Sequence, residues 1–112
     1  MTNLGQFIQG SLEDDKAEDI TVIDLVGKTS IADFMIIASG RSQRHVAALA
    51  ENLEQKLKAF GIGPISIEGR RQADWVLLDA GDVIVHIFRP DIRSFYNLEK
   101  MWAVPLPEQA AV

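Results

Sequence analysis

The run from Ala73 to Phe88 constrains the fold more than any other stretch of the chain. Two segments rich in branched apolar residues, Trp75-Val76-Leu77-Leu78 and Val83-Ile84-Val85-His86-Ile87-Phe88, flank Asp79-Ala80-Gly81-Asp82. Glycine and aspartate favour a tight turn, so the run reads as a β-hairpin. A strand with one wet face alternates apolar and polar residues, whereas these two are apolar at nearly every position. The hairpin is therefore expected inside a sheet covered on both faces, with helices doing the covering. Trp75 and His86 interrupt the pattern. Just beyond, Pro90 to Trp102 reads as a short helix crowded with aromatic residues. The function is expected in this half of the chain.

The preceding residues supply the rest of the sheet. Leu4, Phe7, Ile8 and Leu12 fall at helical spacing, which predicts a short amphipathic helix. Glu13 to Asp19 is acidic and reads as a solvated helix end or linker. Ile20 to Val26 is a first strand, ended by Gly27-Lys28, and Ile31 to Ser39 a second. Its core Phe34-Met35-Ile36-Ile37-Ala38 suggests a central position. Asp33, at its start, is expected to bond backbone amides or a neighbouring hydroxyl. Val46, Leu49, Ala50, Leu53, Leu57 and Phe60 then form one apolar stripe at helical spacing. Ser42 suits the N-cap, Lys56 and Lys58 the negative end of the dipole, and Gly61 the stop. Ile65 to Glu68 is a third strand, and Gly69-Arg70-Arg71-Gln72 a polar loop before the hairpin.

The order is thus α-β-β-α-β-β-β-α, an α/β fold with a mixed sheet of about five strands and flanking helices. Residues 1–102 form one domain, and residues 103–112, with two prolines and no periodicity, are expected to be disordered.

Composition then excludes several functions. The net charge of −5 over 112 residues argues against direct nucleic-acid binding, which needs a basic surface to neutralise phosphates. A basic protein is the better partner. The absence of cysteine removes disulfides and thiolate metal sites and fits a reducing compartment. The N-terminal residues resemble neither a secretory signal nor an arginine-rich transit peptide. No apolar run approaches the roughly 20 residues that cross a bilayer.

Catalytic motifs are sparse. Ser39-Gly40-Arg41-Ser42 between a strand and a helix could cradle a phosphate, and it resembles the Gly-Ser opening of nucleotidyltransferases. Those enzymes need two carboxylates, two residues apart on the next strand, to hold Mg²⁺. Here that strand is Pro64-Ile65-Ser66-Ile67-Glu68, and Asp79 and Asp82 lie in a turn. His45 and His86 are the only histidines, too few for a zinc site, and a hydrogen-bonded structural role suits both. No cofactor is expected. The aromatic cluster is the stronger lead: Trp75, Phe95, Tyr96 and Trp102, with Arg70, Arg71 and Arg93 nearby, have the composition of an interface hot spot. Phe95 and Leu98 are expected to pack the last helix onto the sheet. Trp75 and Tyr96 carry polar atoms that suit either core or contact.

Two blocks of this sequence resemble the ribosomal silencing factor (Iojap) family. The first is Ile31-Ala32-Asp33-Phe34-Met35-Ile36-Ile37-Ala38-Ser39-Gly40 with Ser42-Gln43-Arg44-His45-Val46. The second is Asp74-Trp75-Val76-Leu77-Leu78-Asp79, Gly81-Asp82-Val83-Ile84-Val85-His86 and Tyr96-Asn97-Leu98-Glu99-Lys100-Met101-Trp102. Met101-Trp102 departs mildly from the usual Leu-Trp ending. The resemblance implies a nucleotidyltransferase-like fold without the catalytic carboxylates, and no enzymatic activity. It implies binding to the large ribosomal subunit through ribosomal protein L-fourteen, blocking small-subunit joining and repressing translation under nutrient limitation. Organellar relatives imply the alternative of a large-subunit assembly factor; a cryptic nucleotidyltransferase is the remaining one. The resemblance further implies a cytoplasmic protein with a possible homodimeric form. On this reading Trp75 anchors the contact with the partner, with Asp74, Tyr96, Glu99, Lys100 and Arg70 around it and His86 as contact or support.

Overall fold

In the computed structural model, which describes residues 3–96 in backbone and 3–93 in side chain, eight elements follow the expected order. They are α1 (Asn3–Asp14), β1 (Glu18–Asp24), β2 (Phe34–Ser39), α2 (Gln43–Ala59), β3 (Ser66–Glu68), β4 (Trp75–Asp79), β5 (Val83–Phe88) and α3 (Pro90–Tyr96). The strands form one sheet in the order β1-β2-β5-β4-β3. Only β2 and β5 run parallel; every other neighbouring pair is antiparallel.

Local chemistry explains the boundaries. Ser42 caps α2 as expected, its Oγ accepting from the His45 amide at 3.1 Å. At the other end Gly61 adopts φ +74°, and the Gly61 and Ile62 amides bond back to the Lys58 and Leu57 carbonyls. That pair of bonds satisfies carbonyls the helix leaves open. Phe60 departs from its predicted place on the buried stripe: it is the C-cap and 71% exposed, meeting Phe7 edge-on at 4.9 Å. Strand β2 begins at Phe34, not Ile31, because the link from β1 folds on itself, with the Ile31 amide bonded to Thr29 Oγ1. Strand β1 starts earlier than expected, through a bulge between Glu18 and Thr21 where Asp19 takes φ +49°.

Covering of the sheet is less even than the hairpin sequence predicts. Helices α1 and α2 pack on the same face, where Ile8, Leu12, Val46, Leu49, Leu53 and Leu57 meet Ile36, Val76, Val85 and Ile87. The second face holds a smaller cluster: Ile23, Met35, Ile37, Ile84 and Phe88, covered by Leu25 and Ala32 from the β1–β2 link and by Ile92 of α3. All six residues of β5 are buried, as a strand covered on both faces requires. Strand β4 is not covered so. Trp75 and Leu77 are half-buried and Asp79 exposed on the second face, while Val76 and Leu78 are fully buried on the first.

Asp33 takes a structural place through its backbone rather than its side chain: its amide donates to the Asp82 carbonyl, its carbonyl accepts from Leu25, and the residue is exposed. The expected helix from Pro90 to Trp102 is described only as far as Tyr96. The side chains of Phe95 and Tyr96, and residues Leu98, Glu99, Lys100, Trp102 and the tail 103–112, lie outside the described residues.

Two glycines differ in what they tolerate. A Cβ on Gly61 would meet nothing within 4 Å, whereas one on Gly69 (φ +82°) would lie 2.1 Å from the Trp75 carbonyl oxygen. Gly61→Ala is expected to cost about 1 kcal/mol from its left-handed conformation alone. Gly69→Ala must also push β4 away, and is expected to cost more than twice as much in urea unfolding.

Candidate functional site

The second face of the sheet brings together the residues that interrupted the hairpin sequence. The β4–β5 register sets Trp75 opposite Phe88 and Leu77 opposite His86, so Trp75 and His86 are diagonal neighbours on one face. The indole Nε1–H donates to His86 Nδ1 at 2.8 Å. The Trp75 ring stacks on Phe88 with centroids 5.1 Å apart, and His86 lies nearly parallel to Phe88 at 5.9 Å. One polar bond to His86 and ring contacts with Phe88 and His86 therefore fix the orientation of a half-buried tryptophan.

His86 is only 6% exposed. Burial pushes its imidazole down from 6.5 to about 4. The indole bond acts in the same direction, since Nδ1 accepts there only while unprotonated. His86 is thus neutral at pH 7 and carries its ring proton on Nε2. His45 takes the same tautomer by other means: Nδ1 accepts from the Arg41 amide at 3.0 Å, and Nε2 donates to the Asp15 carbonyl at 3.0 Å. Both histidines make the structural hydrogen bonds their sequence positions suggested.

Asp74 fixes the entry into β4. Its Oδ1 accepts from Gln43 Nε2 at 2.9 Å and lies 3.1 Å from Arg89 Nε, while its carbonyl accepts from the Arg89 amide. Sequence reasoning missed Gln43 and Arg89; a charge set directly after the buried Phe88 was the available signal for Arg89. Arg70 does not join the aromatic cluster. It turns to Glu54 of α2, on the helical side of the sheet. Burial alone would push the Glu54 carboxyl up, but hydrogen bonds from Lys58 and Arg70, and their charges, hold it below its ordinary value. Arg93 reaches from α3 across the second face to Asp19, Thr21 and Ser39.

The Ser39-Gly40-Arg41-Ser42 loop is closed from within. Ser39 Oγ accepts from Arg93, Ser42 Oγ caps α2, and a Cβ on Gly40 would sit 2.8 Å from Val46 Cγ2. Glycine there serves the close packing of loop on helix. Asp79 accepts from the Gly81 amide at 2.8 Å, an ordinary turn contact. Among the described residues no group of three His, Asp or Glu is placed to hold a metal ion, and no helix is long and apolar enough to cross a membrane.

The architecture is that of an α/β protein built on a mixed five-stranded sheet, with α1 and α2 layered on one face and an aromatic-edged apolar cluster under α3 on the other. Residues 4–111 match the family model described as "Ribosomal silencing factor during starvation", and the chain belongs to that family. A ribosomal silencing factor of Zymomonas mobilis is 58% identical over 97 residues, which cover 87% of this chain and 73% of the relative. A crystal structure of a protein from Chromobacterium violaceum superposes with a TM-score of 0.87 at 39% identity, covering 94% of this chain and 88% of that one. A mouse protein named "Mitochondrial assembly of ribosomal large subunit protein 1" is 33% identical over 96 residues, 83% of this chain and 42% of its own length.

The buried pair predicts two stability effects. Trp75→Phe keeps an aromatic ring but leaves His86 Nδ1 without its indole donor, at an expected cost of about 1–3 kcal/mol in denaturant unfolding. The folded state refuses a proton that unfolded His86 accepts near pH 6.5, so protonation of the unfolded chain draws the equilibrium away from the fold as pH falls. Stability contributed by His86 is complete above pH 6.5 and declines toward pH 4. Between pH 7 and pH 4 the wild type is expected to lose on the order of 3 kcal/mol more than His86→Phe.

Proposed function

We propose that this chain is a non-catalytic factor that docks on the large ribosomal subunit through ribosomal protein L-fourteen. Bound there, it stands where the small subunit must join, and translation falls when nutrients are scarce. Family membership over residues 4–111 is the observation that carries the proposal. The net charge of −5 supports it, since an acidic domain is steered toward a basic ribosomal protein and away from direct contact with RNA. Steric occlusion needs no turnover, and the closed Ser39–Ser42 loop is in keeping with a protein that works by binding alone. On this reading the protein acts in the cytoplasm, and a homodimer would be an additional state.

The docking surface in this proposal is the second face of the sheet. Trp75 is the anchor: half-buried, oriented by His86 and Phe88, with apolar area left for a partner. Asp74, braced by Gln43 and Arg89, sets where the indole leaves the chain. Tyr96, Glu99 and Lys100 extend the contact along the C-terminal segment. Arg70, directed at α2, belongs to the periphery. His86 supports the anchor from beneath.

A second reading, assembly of the large subunit, is favoured by the name of the mouse relative. The two differ in when binding happens. Sedimentation with separated subunits, coupled ribosomes and immature large particles tells them apart. The silencing reading expects co-migration with mature large subunits and loss of subunit joining; the assembly reading expects capture by immature particles alone. Trp75→Ala is expected to cost on the order of 2 kcal/mol or more of binding. Wild-type affinity in a folded Trp75→Ala protein would remove Trp75 as the anchor, and migration with none of the particles would remove both readings.

A further inference from the structure

We propose that Arg93 is a positioning residue: it sets where α3 stands on the docking face relative to Trp75. This deepens the docking proposal above and rests on it. Helix α3 is described over Pro90–Tyr96, and an isolated helix of even about a dozen residues is marginal in water, so it depends on tertiary anchoring. Among its described side chains, two tie it to the sheet. Ile92 packs into the apolar cluster of the second face, which resists separation of helix and sheet but is indifferent to sliding. Arg93 supplies direction. Its Nη1 donates to the Asp19 carbonyl at 2.7 Å and to Ser39 Oγ at 2.8 Å, and its Nη2 donates to Thr21 Oγ1 at 3.1 Å.

These three acceptors lie on two strands. Asp19 sits in the β1 bulge with φ +49°, where the ladder register shifts. Ser39, at the end of β2, is only 1% exposed. A planar guanidinium can address a carbonyl and two hydroxyls at once; a lysine ammonium on a flexible stem cannot match that geometry. Arg93 directs its fork at a carbonyl and two hydroxyls across the sheet. Tyr96, one of the proposed contacts, is the last described residue of α3. Holding α3 against β1 and β2 therefore fixes where that helix stands relative to the Trp75 anchor at the edge of the same face.

The test is Arg93→Lys in the full chain, which keeps the charge and removes the fork. Amide hydrogen exchange is expected to quicken across residues 90–96 while β4 and β5 stay protected. Affinity for isolated large subunits is expected to fall about tenfold, with the thermal midpoint lowered by only a few degrees. A purely structural role would lower the midpoint and leave the affinity of the folded protein unchanged, and that result overturns the proposal. So does unchanged exchange in α3. If Arg93→Lys does not fold, Thr21→Val removes one acceptor at nearly constant shape and is read by the same two measurements. Failure of the wild type to bind large subunits would overturn the docking reading itself, and the exchange arm, which needs no ribosome, separates that failure from an error about Arg93.

Discussion

Strand β5 has no residue open to water, and the rest of the molecule is arranged to satisfy that constraint. A fully buried strand must be flanked by partners on both edges and covered on both faces. Helices α1 and α2 cover one face with a continuous aliphatic layer. The other is covered in pieces, by a link, a short helix and the strand's own cross-strand neighbours. His86 lies on that second face, so a polar ring in the middle of β5 needs a hydrogen-bonding partner that is itself largely apolar. Tryptophan meets both demands. The half-buried aromatic group at the edge of the sheet is thus a consequence of what the interior holds, and the rigidity of the rim derives from a bond made inside.

Charged groups join elements more than they stabilise them. Asp15–Lys56 links the end of α1 to α2, Glu54–Arg70 links α2 to the loop before β4, and Asp74–Arg89 links both ends of the hairpin. Partly exposed pairs of this kind contribute little each, but these three bridge segments fifteen or more residues apart in sequence. The excess of carboxylates over these internal pairs leaves the acidic balance on the surface.

Element order was legible because apolar residues at helical spacing give way to short continuous runs of branched apolar residues and back, and because Ser42 and Gly61 punctuate the longest helix. The allocation of faces was not. Alternation along a strand fixes which residues share a side, but not which side the helices choose. Both hairpin strands therefore read as doubly covered, although Trp75 and Leu77 of β4 are only half-buried. The Trp75–His86 pairing was within reach: once the turn pairs Asp79 with Ile84, Trp75 falls opposite Phe88 and diagonal to His86. The Arg93 bonds were not, since they span 54 to 74 residues and no local pattern records such a distance. Phe60 was misplaced because helical periodicity continues into a residue that in fact caps the helix.

The single parallel pairing has a consequence in time. Strands β1 with β2, and β4 with β5, are antiparallel neighbours that close over short loops. Joining the two halves requires β2, Phe34–Ser39, to find β5, Val83–Phe88, across a long loop whose closure entropy must be overcome before any contact is made. Since β5 follows the other four strands in sequence, the centre of the sheet cannot form until all of them have been made.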